Sequence, residues 1–199
     1  MTFKRSRSLL ATSLGLTLAL GAFTPTAFAE PHKQVLADAE QYKGEALKLL
    51  ERLVNIDSGS GYEPGLTQVS DIAIEELKKL GATIELVPNT PDKSNHVLAT
   101  LKGTGTAKIL LMAHMDTVFK EGSAAARPFH IKDGRAYGPG VMDDKGGIVA
   151  GIYALKVLKN LDFKDYAQIT FLLDASEETG SDVATNPVSY THLTLPTKA

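Results

Sequence analysis

Hydrophobic positions along the chain alternate between helical and strand spacing. Three segments carry apolar residues at helical spacing and predict amphipathic helices: 35–54, 66–80 and 146–158. Four shorter apolar runs predict strands: 83–87, 96–101, 108–116 and 167–174. An Asp-Gly pair between two short extended runs, 129–131 and 135–137, predicts a hairpin. Strands that alternate with helices are typical of an α/β domain, and we expect a largely parallel central sheet.

The predicted strand at 108–116, Lys-Ile-Leu-Leu-Met-Ala-His-Met-Asp, ends in His114 and Asp116. Residues two apart on a strand point to the same side, so the imidazole and the carboxylate are carried together to the strand's end. Ligands of open α/β sheets bind beyond the carboxyl ends of the strands. A core histidine hydrogen-bonded by Asp116 explains the pair equally well, so the pair alone does not predict a site.

Asp143 and Asp144 lie between a Gly-Pro-Gly loop and the predicted helix at 146–158. Carboxylates are favourable at a helix N-terminus, so one of the two is explained as an N-cap, whereas two are explained poorly. Gly146 and Gly147 cost helix stability at this position. Their presence predicts that the backbone there closely approaches another group.

Glu177 and Glu178 follow the predicted strand at 167–174. Two adjacent glutamates alone are usually a solvated loop. Together with His114, Asp116 and Asp143, they would meet at one edge of the sheet as an imidazole among carboxylates. The chain has no cysteine, and nitrogen and oxygen ligands without sulfur suit Zn²⁺ or another divalent transition metal. We therefore predict a metal site.

Composition narrows the classes of function only slightly. The chain has 199 residues, of which 43% are hydrophobic and 22% charged, which suits one globular domain with its own core. The net charge of -2 gives no indication of a nucleic-acid partner.

The N-terminus has the pattern of a secretory signal peptide. Basic residues between positions 4 and 7 precede an apolar segment at 9–23, and Ala27 and Ala29 form a small-residue cleavage site. A membrane anchor is the alternative, but the run is short for a span and is interrupted by glycines and by Pro25. We expect cleavage after Ala29 and export to the periplasm or the medium, with no membrane segment in the mature protein.

The last twelve residues, 188–199, follow neither helical nor strand spacing. They resemble a peptide translated from sequencing-adapter read-through, so we expect this tail not to be native and exclude His192 as a ligand. The expected organisation is a signal peptide at 1–29, the N-terminal part of a catalytic domain at 30–187 and a non-native tail at 188–199.

Three blocks in order resemble the signatures of the zinc-dependent carboxypeptidase family, which includes glutamate carboxypeptidase, acetylornithine deacetylase and succinyl-diaminopimelate desuccinylase. These blocks are His-Met-Asp-Thr-Val at 114–118, Gly-Pro-Gly-Val-Met-Asp-Asp-Lys-Gly-Gly at 138–147 and Glu-Glu-Thr-Gly-Ser at 177–181. The resemblance covers roughly 46–181. It is closest to the secreted glutamate carboxypeptidases, which the segment 53–61 and the export signal also resemble.

This resemblance implies a three-layer α/β/α catalytic domain that holds two zinc ions, with a separate lid and dimerisation domain and a homodimeric complete protein. His114 would bind one zinc ion, Asp143 would bridge the two, and Glu178 would bind the other. Glu177 would be the general base, and Asp116 would hydrogen-bond His114 and fix its tautomer. The peptide bond that follows Asp143 matches a family position that is often cis.

The implied reaction is hydrolysis of an amide bond next to a free C-terminal carboxylate, with glutamate as the released residue. A further carboxylate, a further histidine and the lid have no counterpart, so we expect an N-terminal fragment that is inactive alone. A deacetylase or desuccinylase of N-acyl amino acids remains open, as does a non-catalytic metal- or peptide-binding relative, although the latter would not need Glu177. A magnesium-dependent phosphoester hydrolase is disfavoured by His114 and by the lack of a phosphate-binding Gly-rich loop.

Overall fold

A computed structural model describes residues 32–89 and 93–180 of the chain. The predicted signal peptide and the tail at 188–199, with His192, lie outside this part. The elements in chain order are α1 (Lys33–Val54), α2 (Glu63–Lys79), β1 (Thr83–Pro88), β2 (Asn95–Lys102), β3 (Lys108–His114), α3 (Ser123–Ala126), β4 (His130–Lys132), β5 (Arg135–Tyr137), α4 (Lys145–Asn160) and β6 (Gln168–Asp174), followed by a 3₁₀ turn (Glu177–Thr179). Every helix and strand predicted from the sequence is therefore present, and the short α3 and the 3₁₀ turn are additional.

The central sheet has four strands in the order β1-β2-β6-β3. β1 pairs antiparallel with β2, β2 pairs antiparallel with β6, and β3 pairs parallel with β6. The α/β class is confirmed, but the expectation of a largely parallel sheet is wrong for the described strands. The connection between β1 and β2 is too short for a crossover, so those strands run in opposite directions. β3 and β6 are parallel because α4 crosses over between them.

One face of the sheet packs against α1, α2 and α4. Alternate residues of β2 and β6, such as Val97, Phe171 and Leu173, join buried residues of the three helices in one core. α4 lies close to β6, because a Cβ on Gly151 would approach the Phe171 ring to 2.4 Å. The opposite face has a smaller cluster without a described helical residue. The second helical layer of the expected three-layer arrangement therefore stays a prediction.

Over residues 32–89 and 93–180, no helix combines the length and the apolar character needed to cross a membrane.

Replacement of Leu53 in α1 by alanine tests the helical layer. Leu53 is fully buried in the core, so we expect Leu53→Ala to lower the free energy of unfolding by about 2–5 kcal/mol in urea titrations. Leu36 lies in the same helix and is 55% exposed, so Leu36→Ala is the matched control and should cost less than about 1 kcal/mol. Equal losses for the two variants would contradict this packing.

Candidate functional site

The candidate site lies where β3 and β6 end at the same edge of the sheet. In their parallel register, His114 at the end of β3 is opposite Asp174 at the end of β6. The start of α4 is tied to the same edge, because the His114 backbone N–H donates to Asp144 Oδ2 at 3.3 Å. The 3₁₀ turn follows β6 directly. Three segments that are distant in sequence therefore meet here, as the sequence predicted.

His114, Asp143 and Glu178 form a group that could hold a metal ion. Each offers one ligand atom, and these atoms all lie within 4.8 Å of one another. His114 is buried, and its Nε2 lies 2.9 Å from Asp143 Oδ1. The Asp143 side chain is 78% exposed, so the group opens to solvent. An imidazole and two carboxylates are a donor set that suits zinc.

Glu177 lies beside this group without belonging to it. Its Oε2 is 3.9 Å from His114 Nε2, and its side chain is 56% exposed. The carboxylate therefore faces the region of the proposed ligands and remains accessible to water and to a substrate. This is the placement required of a group that exchanges protons with a reacting molecule.

The buried carboxylate of Asp116 holds the two glutamates through their backbones. Oδ1 accepts a hydrogen bond from the Glu177 N–H at 3.0 Å, and Oδ2 accepts one from the Glu178 N–H at 3.1 Å. Oδ2 also accepts from Ser60 Oγ at 2.7 Å. The carboxylate thus contacts both residues of the Glu-Glu pair, which the sequence analysis did not predict.

Asp116 also contacts His114, as expected, but mainly through its main chain. His114 Nδ1 lies 3.0 Å from the Asp116 backbone oxygen and 3.3 Å from its Oδ1. A neutral imidazole with its hydrogen on Nδ1 would offer the lone pair of Nε2 to a metal ion on the open side of the site. Both the carbonyl and the carboxylate of Asp116 therefore contact His114 Nδ1, and control of the tautomer by Asp116 stays a prediction.

The site carries a large excess of negative charge. Burial lowers the pKa of His114, but hydrogen bonds to Asp116 and Asp143 outweigh it and raise that pKa to about 10. Partial burial and the nearby Asp143 carboxylate raise the pKa of Glu178. Over the described part of the chain, Asp116, Asp143, Glu177 and Glu178 form no salt bridge with a lysine or arginine. A divalent cation would relieve this repulsion and would displace the His114 proton on binding.

Asp144 is the N-cap of α4, so the N-cap explanation is correct for one of the two aspartates. Its Oδ1 accepts from the Gly147 N–H at 3.1 Å. A Cβ on Gly147 would lie 2.1 Å from that oxygen, which confirms the predicted close approach at this glycine. The peptide bond between Asp143 and Asp144 is cis, as the resemblance implied. Asp143 Oδ1 lies 2.9 Å from His114 Nε2, while Asp144 caps the helix.

Lys145 follows the two aspartates but does not neutralise them. It is buried, and its Nζ donates to the Ile56 backbone oxygen at 2.6 Å. Burial lowers the pKa of Lys145 to about 8, although the Asp57 carboxylate opposes this shift. The ammonium therefore ties α4 to the loop after α1. Apart from the Gly- and Ser-rich composition of the loop, nothing in the sequence indicates this contact or that of Ser60.

Comparisons of this chain with known proteins agree on one family. Residues 110–192 match peptidase family M20/M25/M40. Carboxypeptidase G2 from Pseudomonas sp. (strain RS-16) is 38% identical over 177 residues, which are 85% of this chain and 41% of that protein. Acetylornithine deacetylase from Proteus mirabilis (strain HI4320) is 37% identical over 107 residues, which are 51% of this chain and 26% of that protein. The chain thus spans less than half the length of these relatives.

The fold is shared with solved structures. The crystal structure of human carnosine dipeptidase 1 superimposes with a TM-score of 0.66 at 24% sequence identity. The match covers 76% of this chain and 36% of that chain. At this identity the likeness shows the fold alone.

Proposed function

This chain belongs to peptidase family M20/M25/M40, and we propose that it forms the N-terminal part of a zinc-dependent carboxypeptidase that releases C-terminal glutamate. The observation that carries the proposal is the convergence of His114, Asp143 and Glu178 with Glu177 beside them. A non-catalytic metal-binding relative would have no use for an accessible carboxylate next to its ligands.

The metal we propose is zinc, with two ions in the complete site. His114 would hold one ion, Glu178 the other, and Asp143 would bridge them. The donor set of one imidazole and two carboxylates supports this choice. When bound, zinc supplies Lewis acidity towards a carbonyl oxygen and lowers the pKa of water.

The residues of this chain then have distinct tasks in hydrolysis. Glu177 takes a proton from the attacking water and passes it to the nitrogen of the leaving amine. Its side chain is 56% exposed and is therefore accessible to water and to a substrate. Asp116 keeps His114 oriented and holds the backbone of Glu177, so the base and the ligands keep a fixed relation.

Cleavage next to a C-terminal carboxylate is favoured over deacylation by the carboxypeptidase relative, whose similarity extends over 85% of this chain. Glutamate as the released residue rests on the resemblance of segment 53–61 and the export signal to secreted glutamate carboxypeptidases. The similarity to acetylornithine deacetylase covers 51%, which keeps a deacylase of N-acyl amino acids as the second candidate. Both reactions hydrolyse an amide, and they differ in the groups on either side of it.

The test compares two substrates with the complete enzyme, meaning this chain together with the further ligands and the lid that the proposal requires. We expect kcat/KM for an N-acylated peptide ending in glutamate to exceed that for N-acetylornithine by about 100-fold. Activity should disappear with a chelator and return with zinc. The reverse preference would favour the deacylase, and no metal-dependent hydrolysis of either substrate would overturn the proposal.

We further propose that residues 30–199 alone do not turn over substrate, because they supply three of the ligands that the resemblance implies. Purified 30–199 should bind zinc yet release no glutamate above the rate of a chelated control. Robust zinc-dependent turnover by this fragment would contradict the proposal.

Export and dimerisation complete the proposal. The N-terminal pattern supports cleavage after Ala29, so the exported protein should begin at Glu30 when its N-terminus is sequenced. The complete enzyme should elute as a homodimer in size-exclusion chromatography with light scattering.

A further inference from the structure

We propose that Ser60 is a positioning residue for the site: its hydroxyl fixes the Asp116 carboxylate, which in turn sets the positions of Glu177 and Glu178. This inference rests on the proposed function for its kinetic consequence. Its structural part concerns hydrogen bonds of the chain itself and can be tested without turnover.

The first step is the hydrogen bonding of the Asp116 carboxylate. Asp116 is fully buried, and a buried carboxylate is stable only when donors surround it. The Glu177 and Glu178 N–H groups supply two donors, and Ser60 Oγ supplies the third at 2.7 Å. Hydrogen bonds to a charged acceptor are among the stronger ones in proteins. Among these three donors Ser60 is the one outside the Glu-Glu turn, and His114 Nδ1, 3.3 Å from Oδ1, also contacts the carboxylate from outside that turn.

The second step is the firm placement of Ser60. Its loop runs parallel to the chain after β3, with a bridge between Gly59 and Thr117. The Ser60 N–H donates to the Thr117 oxygen at 3.2 Å, and the Thr117 N–H donates to the Ser58 oxygen at 2.9 Å. A Cβ on Gly59 would lie 2.4 Å from the Phe119 oxygen, so the loop lies too close for a side chain there. Ser60 therefore donates from a fixed backbone.

The third step is the consequence for the site. Each oxygen of Asp116 holds the backbone of one glutamate, and these two residues have different proposed tasks: Glu177 as the base and Glu178 as a ligand. Without the Ser60 hydroxyl, Oδ2 loses one of its two donors, and rotation of the carboxylate is then opposed by the two glutamate N–H groups and His114 Nδ1 alone. Rotation would shift both glutamates together relative to His114. A displacement of about 1 Å in a catalytic group can cost about 10²-fold in rate.

The experiment measures amide hydrogen exchange of Glu177 and Glu178 in the chain and kcat and KM in the complete enzyme. We expect Ser60→Ala to speed exchange of these two amides by at least about tenfold and to lower kcat by about 10–100-fold. KM should change by less than about threefold, because substrate contacts are unaffected. Ser60→Thr, which keeps a hydroxyl, should restore both readouts.

Ser58→Ala is the matched control. Ser58 lies on the same loop, and its hydroxyl donates to the Met115 oxygen at 2.8 Å without touching Asp116. If Ser58→Ala speeds the exchange of Glu177 and Glu178 as much as Ser60→Ala does, the loop acts only as general support and the inference is wrong. Unchanged exchange in Ser60→Ala overturns it as well.

A second pair of variants keeps the test decisive if Ser60→Ala does not fold. Ser60→Thr and Ser60→Val have side chains of nearly equal shape and differ in the hydroxyl. Faster exchange at Glu177 and Glu178 in the valine variant than in the threonine variant supports the inference, and equal exchange overturns it. An enzyme inactive on all amide substrates would overturn the proposed function, whereas the exchange result would stand independently.

Discussion

Replacement of Glu177 by glutamine in the complete enzyme should lower kcat by about 10²–10⁴-fold, the usual contribution of a general base. Glutamine keeps the size of the side chain and the backbone N–H that Asp116 accepts, but it cannot take a proton. Glu177 lies outside the group of ligand atoms, so the zinc affinity should stay within about threefold of that of the unchanged protein. By comparison, substitutions that perturb a metal site lower the affinity by about 10–100-fold. Steady-state kinetics and calorimetric zinc titration measure the two effects separately.

Two further variants show whether the loss of kcat comes from the missing base, from the changed charge or from weaker zinc binding. Glu85 is exposed on β1, so Glu85→Gln removes the same charge far from the chemistry and should leave kcat unchanged. Glu178→Gln removes a proposed ligand and should weaken zinc binding as well as turnover. Near-normal kcat in Glu177→Gln would show that another group is the base.

Replacement of Asp143 by asparagine should weaken zinc binding by more than about 100-fold, since even residues behind the ligands change metal affinity by about 10–100-fold. Asp143 offers its carboxylate from an exposed position, 2.9 Å from His114 Nε2, and an amide is a poor zinc ligand. The metal-free variant should lose no more than about 1 kcal/mol of the free energy of unfolding, because the side chain is exposed and its contact with His114 is the interaction that weakens. Calorimetric titration and urea unfolding provide the two readouts.

Asp133→Asn is the control for this experiment. Asp133 lies in the turn between β4 and β5 with a φ of 51°, a conformation that asparagine tolerates well. It removes the same charge from the same chain and should leave zinc binding intact. If the Asp133 and Asp143 variants bind zinc with equal affinity, Asp143 is not a zinc ligand.

The sequence predicted the elements and the meeting of the site residues for one physical reason. Apolar periodicity records which face of an element is buried, and it located each helix and strand to within a few residues. The residues after β3 and β6 then meet because strand ends lie at an edge of the sheet. His114, Asp143 and Glu178 come together as predicted, whereas their roles remain predictions.

The directions of the strands and the hydrogen bonds that support the site could not be predicted from the sequence pattern. A buried apolar run has the same pattern in parallel and antiparallel pairs. The pattern therefore does not indicate that β2 pairs antiparallel with both of its neighbours. Ser60 and Lys145 act through contacts with Asp116 and Ile56 that span 56 and 89 residues. Spacing within a segment carries no information about such pairs.

β6 is the last described strand to leave the ribosome, yet it lies between β2 and β3 in the sheet. Until it is synthesised, the edges of β2 and β3 that face β6 in the finished sheet have no strand to pair with. Exposed edges of this kind recruit other chains, so the growing polypeptide is most prone to aggregate in the interval between translation of β3 and of β6. Stalling of translation in that interval would leave a species that depends on chaperones, whereas completion of β6 joins β2 to β3 and brings Glu177 to Asp116 in one event.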